Sequence, residues 1–497
     1  MTSDQPPTER RRAARPDLTQ GPITRTLLTF ALPVLGGNAL QSLNGTANQF
    51  WVSHSLGVTA ITAIGNANII MMLMLGLIFG VSMAANILIG QAVGARDIHM
   101  VKRVMGTAVT FFVALSLTVA FFGYLASPHI LALMGAPVEA REEAETYLRI
   151  VFLAMPFMYF FAFLQMAQRG VGDSKTPFYF MLVAVVLDIV LNPLLIRGIG
   201  PFPKLGIAGS AVSTFIGQGA SLACLIFVLY RRNSLLALRS QDLRLLKPER
   251  FILGALVVRG LPMGLQMLVM SGSAMVMIGF VNRYGSTMAA AYTAASQVWT
   301  YVQMPAISLG AAISAMAAQN VGAKKWDRVD QVARSGVFSG LAVTGTVAVI
   351  IYLLGDIVLR IFLPAGSPAL PLAHHINDRV LWGFVLFTIT FALSGVVRAT
   401  GAVWPPLIIL TISMYLIRIP FAGLLAGKLG PDSIWWSFPL GSAMSSGMTV
   451  LYYLKGGWRK SHMMDGPRPV GAAVDVGMAP PHIGEADASP AKEKAEV

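Results

Sequence analysis

From residue 24 to residue 456 the chain alternates long apolar stretches with short polar ones. Many of the apolar stretches exceed the ~18 residues that an α-helix needs to reach across the hydrocarbon of a bilayer. Twelve spans are distinguishable, over 24–52, 58–93, 103–126, 144–168, 177–198, 205–230, 252–281, 286–321, 333–355, 380–400, 405–427 and 433–456. The pattern predicts an all-α polytopic membrane protein with 12 transmembrane helices. Residues 1–23 and 457–497 are polar tails, the first expected to be disordered. The Arg-rich start (Arg10, Arg11, Arg12, Arg15) leads into a long apolar segment without a small-residue cleavage site, so a retained first span is expected and not a removed signal peptide.

The second half repeats the first. At an offset of 228 residues, Gln91-Ala92-Val93-Gly94-Ala95 meets Gln319-Asn320-Val321-Gly322-Ala323, and Gly57, Thr59, Ala63 and Ala67 meet Gly285, Thr287, Ala291 and Ala295. At an offset of 229, Leu32-Pro33 meets Leu261-Pro262, Arg169 meets Arg398, Gly172 meets Gly401 and Pro177 meets Pro406. One period holds six spans. An even number returns the chain to the side it left, so the halves share one orientation. Two six-helix bundles related by a pseudo-two-fold axis along the membrane normal are expected. The predicted organisation is a cytoplasmic N-tail (1–23), an N-terminal bundle (24–230), a basic cytoplasmic linker (231–250), a C-terminal bundle (251–456) and a cytoplasmic C-tail (457–497).

Charge refines this picture. Only 12% of the residues are charged, against about 25% in soluble domains. A formal net charge of +14 raises the question of nucleic acid. Most of the 37 Lys and Arg fall in the tails and in the loops near 96–103, 169–175, 231–250, 324–334 and 398, all on one side of the predicted membrane. The positive-inside rule places that side, and both termini, in the cytoplasm. The acidic run Glu139, Glu142, Glu143, Glu145 falls outside. Basic residues scattered over loops do not make one structured face, so no nucleic-acid partner is expected. The one cysteine, Cys224, excludes disulfides and cysteine metal clusters.

Candidate chemistry centres on Pro177 to Gly198. Asp188 lies near the middle of this stretch and is the only acid placed deep in the membrane. A carboxylate there costs at least a few kcal/mol, and it marks either an ion or proton path or a structural acid kept neutral or paired. Asn192 is one turn on, on the same face. Pro193 follows it and leaves a backbone carbonyl without its helical donor. Asn48, Asn192 and Thr214 fit both an ion site and helix–helix hydrogen bonding. Arg418, within span 11 beside Pro420, either packs on backbone carbonyls or faces a substrate cavity. The run Met155 to Phe161 could line a cavity for planar cations or simply pack. The G-Q-x-x-G-A segments read as structural turns that end spans 2 and 8, with Gly94 and Gly322 at the helix ends and Arg96, Lys324 and Lys325 complementing the dipole. His374-His375 is placed in a solvated outer loop. No phosphate-binding P-loop, H-E-x-x-H or G-x-S-x-G is present, so nucleotide-driven transport is not supported. An intramembrane enzyme would need a clustered catalytic set, and the spans hold none.

The paired G-Q-x-x-G-A segments, Arg169 to Pro177 (R-G-V-G-D-S-K-T-P), Asp188 to Pro193 (D-I-V-L-N-P) and Ala31 to Leu43 (A-L-P-V-L-G-G-N-A-L-Q-S-L) resemble the multidrug and toxic compound extrusion (MATE) family, over about residues 24–456. The resemblance implies a cation-coupled antiporter in the cytoplasmic membrane that exports small organic, mostly cationic or amphipathic compounds by alternating access. It implies a monomer with no cofactor beyond H⁺ or Na⁺ as coupling ion, and no enzyme activity. Many members carry an acid where this chain has Asn48, and one branch reads Asn then Asp where this chain has Asp188 then Asn192. The acids of another branch, in spans 7 and 10, correspond to Met270 and Ala402. The coupling site implied is therefore Asp188, Asn192, Asn48 and Thr214. A substrate cavity is implied at Asn44, Met158, Tyr159, Phe161, the Leu164-Gln165 pair and Arg418. A lone carboxylate leans towards H⁺, while Na⁺ would need about six oxygens around it. A flippase or exporter of lipid-linked or oligosaccharide substrates is the other transport reading.

Overall fold

The computed structural model describes residues 17–56, 58–133, 138–364, 366–461 and 463; residues 1–16 and 464–497, where most of both predicted tails lie, are outside it. The described residues fold into helices joined by short loops. In the N-terminal half the helices are α1 (Ile23–Leu56), α2 (Val58–Gly94), α3 (Ile98–Leu133), α4 (Val138–Gly170), α5 (Lys175–Arg197) and α6 (Ile207–Arg231). In the C-terminal half they are α7 (Arg250–Asn282), α8 (Ser286–Gly322), α9 (Trp326–Leu353), the short α10 (Gly355–Arg360) and α11 (Ala369–Thr400). Span 11 is composite: α12 (Trp404–Thr411), a π-helical turn over Ile412–Arg418, and α13 (Ile419–Leu424). The short α14 (Ala426–Leu429) leads into α15 (Asp432–Lys455).

Eleven of these segments are long and apolar enough to cross a membrane. The twelfth span, α15, is rich in serine, which lowers its hydropathy. Its hydroxyls are satisfied by carbonyls: Ser437 Oγ donates to Ile434 O (2.5 Å) and Thr449 Oγ1 to Ser445 O (2.7 Å) within the helix, and Ser446 Oγ to Leu386 O of α11 (2.7 Å). That removes part of the cost of burying them. Several helices run past their apolar windows. The spans expected at 103–126 and 380–400 belong to α3 and α11, which start at Ile98 and Ala369. Apolar length reports only the part in hydrocarbon, while the amphipathic ends continue the same backbone ladder.

Three expectations need correction. His374 and His375 are on α11, not in a solvated loop, and each meets an acid: His374 Nε2 lies 2.5 Å from Asp356 Oδ1, and His375 Nε2 2.6 Å from Asp432 Oδ1. Residues 17–22 are ordered. Leu18 is buried, its N–H donates to Gln319 Oε1 (3.3 Å), and its carbonyl accepts from Asn320 Nδ2 (3.2 Å). The first tail thus straps onto the C-terminal half before α1 begins. At the other end, Trp458 is buried in a short 3₁₀ turn, Gly457–Lys460, inside the span expected for the C-tail. The side chain of Glu139, in the acidic run, lies outside the description.

The linker is docked. Its 3₁₀ turn, Ser240–Leu246, lies along α3, with Lys102 Nζ 2.6 Å from Asp242 Oδ2 and Thr110 Oγ1 donating to Leu246 O (2.6 Å). Arg103 grips Glu249 through both Nε (2.7 Å) and Nη2. Glycines permit the close helix crossings that membrane bundles use in place of bulky packing. Gly80 of α2 is an example: a Cβ there would stand 2.3 Å from Gly260 O and Gly264 N of α7. One large core joins the N-terminal half to Leu309–Ala318 of α8 and Ala392–Val403 of the α11 end. Tyr292, Trp299, Ile376 and Trp435 belong to a separate core in the C-terminal half.

Candidate ion site and the seam between the halves

Three helices of the N-terminal half each present a polar step to a common point. α1 gives Asn44 and Asn48, spaced i, i+4. α5 gives Asp188 and Asn192 with the same spacing. α6 gives Ser210, Ser213 and Thr214 at i, i+3 and i+4, so all three share a face. Asp188 is the only buried carboxylate among the described residues, 3% exposed. It accepts from Asn44 Nδ2 (2.9 Å), Ser213 Oγ (2.5 Å) and Thr214 Oγ1 (3.2 Å). No Lys, Arg or His reaches it within the described residues. One turn along, Asn48 Oδ1 accepts from Asn192 Nδ2 (2.7 Å) and Ser210 Oγ (2.6 Å). Asn192 Oδ1 is buried without any donor. Gly217 lets α6 lie against α5: a Cβ there would come within 2.9 Å of Ala184 O and 3.6 Å of the Asp188 nitrogen.

Of the residues predicted from sequence, Asp188, Asn192, Asn48 and Thr214 come together here. Asn44, expected in a substrate cavity, donates directly to the carboxylate. Ser210 and Ser213 were not anticipated; serine is so common in these spans that its spacing alone gave no signal. On α4, Tyr159, Phe161 and Leu164 are packed in the main core, Met158 packs against it and Gln165 is 7% exposed. Arg418 does not hydrogen-bond to backbone carbonyls. Its guanidinium lies on the ring of Phe438, 3.4 Å from Cζ to the centroid.

The repeated G-Q-x-x-G-A segments do more than end two helices. Gln91 Nε2 of the first half donates to Ala399 O of the second (2.7 Å). Gln319 Nε2 of the second donates to Gly170 O of the first (2.8 Å). These bonds are exchanged by the repeat, 91 with 319 and 170 with 399. The glycines follow the same exchange. A Cβ on Gly94 would stand 1.9 Å from Gln319 O, and one on Gly322 would stand 1.9 Å from Gln91 O. The left-handed position that terminates each helix is taken by Arg96 (φ 59°) and Lys324 (φ 58°), not by the glycines. Gly94 and Gly322 are therefore needed for backbone-to-backbone approach of the two halves, which corrects their reading as plain helix ends. Residues 17–22 reinforce this seam, with Lys325 Nζ donating to Thr19 O (3.0 Å) and Arg328 Nη2 to Gln20 O (2.8 Å).

Twelve membrane-length segments in two repeated halves, joined along one seam and holding one buried acid, define a two-lobed membrane transporter. The MatE family profile matches residues 33–194 and 262–424, most of both halves. The chain belongs to the multidrug and toxic compound extrusion family. It is 35% identical over 466 residues to the "Probable multidrug resistance protein YoeA" of Bacillus subtilis, covering 93% of this chain and 99% of the relative. It is 24% identical over 441 residues to the "Multidrug export protein MepA" of Staphylococcus aureus, covering 88% and 95%. Among solved structures it superposes with a TM-score of 0.83 at 21% identity on one described as "Outward-facing conformation of a multidrug resistance MATE family transporter of the MOP superfamily", covering 89% of this chain and 98% of that one. A Pyrococcus furiosus transporter, described as having a binding pocket of reverse polarity, matches with a TM-score of 0.82 at 20% identity, over 90% and 99%.

Proposed function

We propose that the protein exports small organic, mostly cationic compounds in exchange for inward-moving protons, with Asp188 as the coupling group. The observation that carries this reading is a buried carboxylate held only by neutral donors. With no cation beside it, its charge is free to be cancelled by whatever ion arrives. The surrounding groups favour a proton. Both carboxylate oxygens already accept hydrogen bonds, so a metal ion would have to displace Asn44, Ser213 and Thr214 and recruit about six oxygens. A proton needs only the hydroxyls to rotate and one acceptor for the new O–H. Asn192 Oδ1, one turn away and without a donor, is available for it. Pro193 lies next to it in the helix and leaves the carbonyl four residues back, at Ile189, without its N–H partner, so protonation acts where the α5 ladder is already weakened. With both termini cytoplasmic, as the basic loops imply, the proton enters from outside, the substrate leaves, and proton release inside resets the carrier.

The test uses cells expressing Asp188→Asn, whose ethidium efflux should fall to background while the protein remains in the membrane. Efflux at the parent rate sinks the assignment. Sealed vesicles with an imposed pH gradient and no sodium should move a cationic dye. A sodium requirement with indifference to pH would instead make Asn48, Asn192 and Thr214 metal ligands around Asp188.

A further inference from the structure

α1 and α9 start from the same side of the membrane, because eight spans, an even number, separate their first residues. They pack against each other, one from each half, and a cleft opens between their starting ends. It has a volume of about 430 Å³ and lies between Gly21–Ile23, where the strap turns into α1, and Arg328, Gln331, Arg334 and Ser335 of α9. That volume falls within the ~300–1,000 Å³ of small-molecule sites. The four α9 residues are three, four and seven positions apart and so share one face of the helix.

The charge of this cleft is uncompensated. No acid lines it among the described residues. Arg334 is exposed and makes no hydrogen bond or ion pair within them. Arg328 uses Nη2 on Gln20 O and Gly21 O (2.8 Å each), and its Nε is buried without an acceptor. Arg25, exposed in the first turn of α1, adds a cation nearby. The acids closest in sequence are engaged or turned away. Asp330 accepts from Arg459 Nη2 (2.6 Å) and Tyr453 (2.8 Å), and Asp17 accepts from Thr19 Oγ1 (2.7 Å) and Gln20 Nε2 (2.9 Å). Asp327 is exposed at the start of α9, outside the cleft. Two guanidinium groups beside one opening match a phosphate, whose oxygens accept their paired N–H groups.

Deeper along the same two helices the lining turns apolar. A second cleft of about 310 Å³ lies against Leu28, Leu32 and Leu35 of α1, Val343 of α9 and Pro305 of α8. Val343 is eight residues beyond Ser335, about 12 Å along the helix, and one leaflet offers about 15 Å of hydrocarbon, half of the ~30 Å core. Leu32 is 68% exposed, and Phe338, one turn beyond Arg334, is 73% exposed, so this face meets hydrocarbon. A free anion would use only the first cleft, whereas a phospholipid has a part for each. We propose that α1 and α9 hold an anionic phospholipid between them, its phosphate on Arg328 and Arg334 and an acyl chain along Leu28, Leu32 and Val343. Basic pockets between membrane helices take such headgroups. The lipid lies across both halves, at the end where the strap already ties them.

The test is lipid binding to the delipidated full-length protein in dodecyl maltoside, followed by native mass spectrometry. The probes are dioleoyl phosphatidylglycerol and dioleoyl phosphatidylcholine, which share their chains and differ in net charge. Wild type should bind the first about 25-fold more tightly, about fivefold for each arginine. Arg334→Gln, at an exposed position without partners, should fold as the parent does and reduce the ratio to about fivefold. Arg244→Gln, on the linker, should leave the ratio at the parent value. Equal binding of the two lipids in wild type, or a parent ratio in Arg334→Gln, overturns the site. An equal fall in Arg244→Gln would mean a diffuse effect of surface charge and overturns it too. Glycerol 3-phosphate, which has the phosphate without the chains, should not displace the bound lipid at the same concentration. Displacement by it would leave a plain anion site and overturn the lipid assignment.

Discussion

Adding one methyl group at the seam is the most direct perturbation of the working cycle. In Gly94→Ala the new Cβ would stand 1.9 Å from Gln319 O. Carbon and carbonyl oxygen settle at about 3.3 Å or more, so the two helix ends must part by about 1.4 Å. A shift of that size would take the Gln319–Gly170 and Gln91–Ala399 bonds, now 2.8 and 2.7 Å, to about 4 Å, beyond hydrogen-bond reach. Two net hydrogen bonds amount to about 2 kcal/mol, and the overpacking adds about 1–3 kcal/mol. Alanine's better helix propensity works the other way by about 1 kcal/mol and does not offset this. The sealed arrangement should therefore lose about 2–4 kcal/mol, a fall in its population of roughly 30-fold to several hundred-fold by the usual tenfold per 1.4 kcal/mol. Ala318, fully buried beneath the seam, reports on it. In a Cys224→Ser, Ala318→Cys background, thiol labelling should be slow, and Gly94→Ala should speed it at least tenfold while lowering drug efflux. Gly322→Ala should behave the same way, by the symmetry of the repeat. Labelling and efflux at parent rates in both variants would refute the seam.

Other expectations follow from single contacts. Asn48→Leu leaves Asn192 Nδ2 and the Ser210 hydroxyl without their acceptor; at about 1–3 kcal/mol for each stranded group, it should lower the melting temperature in detergent. A melting point at the wild-type value would mean that the cluster does not stabilise α1 against α5 and α6. Trp299→Phe removes the N–H that Asn377 Oδ1 accepts at 2.8 Å and should cost about 1–3 kcal/mol in the same assay. The Glu249 carboxyl, outside the membrane, is held below its ordinary value of 4.5 chiefly by the Arg103 hydrogen bond. A depressed carboxyl contributes stability that is present above that ordinary value and is lost as pH falls through the folded one. Arg103→Met should therefore destabilise by at most about 1 kcal/mol at pH 7, since the pair is partly exposed, and the difference from wild type should vanish as pH falls well below 4.5. A difference that persists in acid would assign the effect to packing instead.

The sequence by itself determined the membrane class, the helix count and the two-half organisation, because each rests on a local or periodic property. Hydrocarbon thickness sets a minimum apolar length, and a repeat is visible wherever two segments match. It also located Asp188, since one acid in a long apolar stretch needs no third dimension to be noticed. Only the tertiary structure decided what surrounds that acid. Asn44 and Ser213 became its partners, and Ser210 that of Asn48, because α1, α5 and α6 converge there, and serines and asparagines in membrane helices look alike until a partner helix selects among them. The same holds for Gly94 and Gly322. In the sequence each is a small residue near a helix end; in the fold each is the point where the backbones of the two halves touch. Arg418 shows the limit most clearly: the sequence leaves open what its charge meets, and the fold sets its guanidinium on the ring of Phe438.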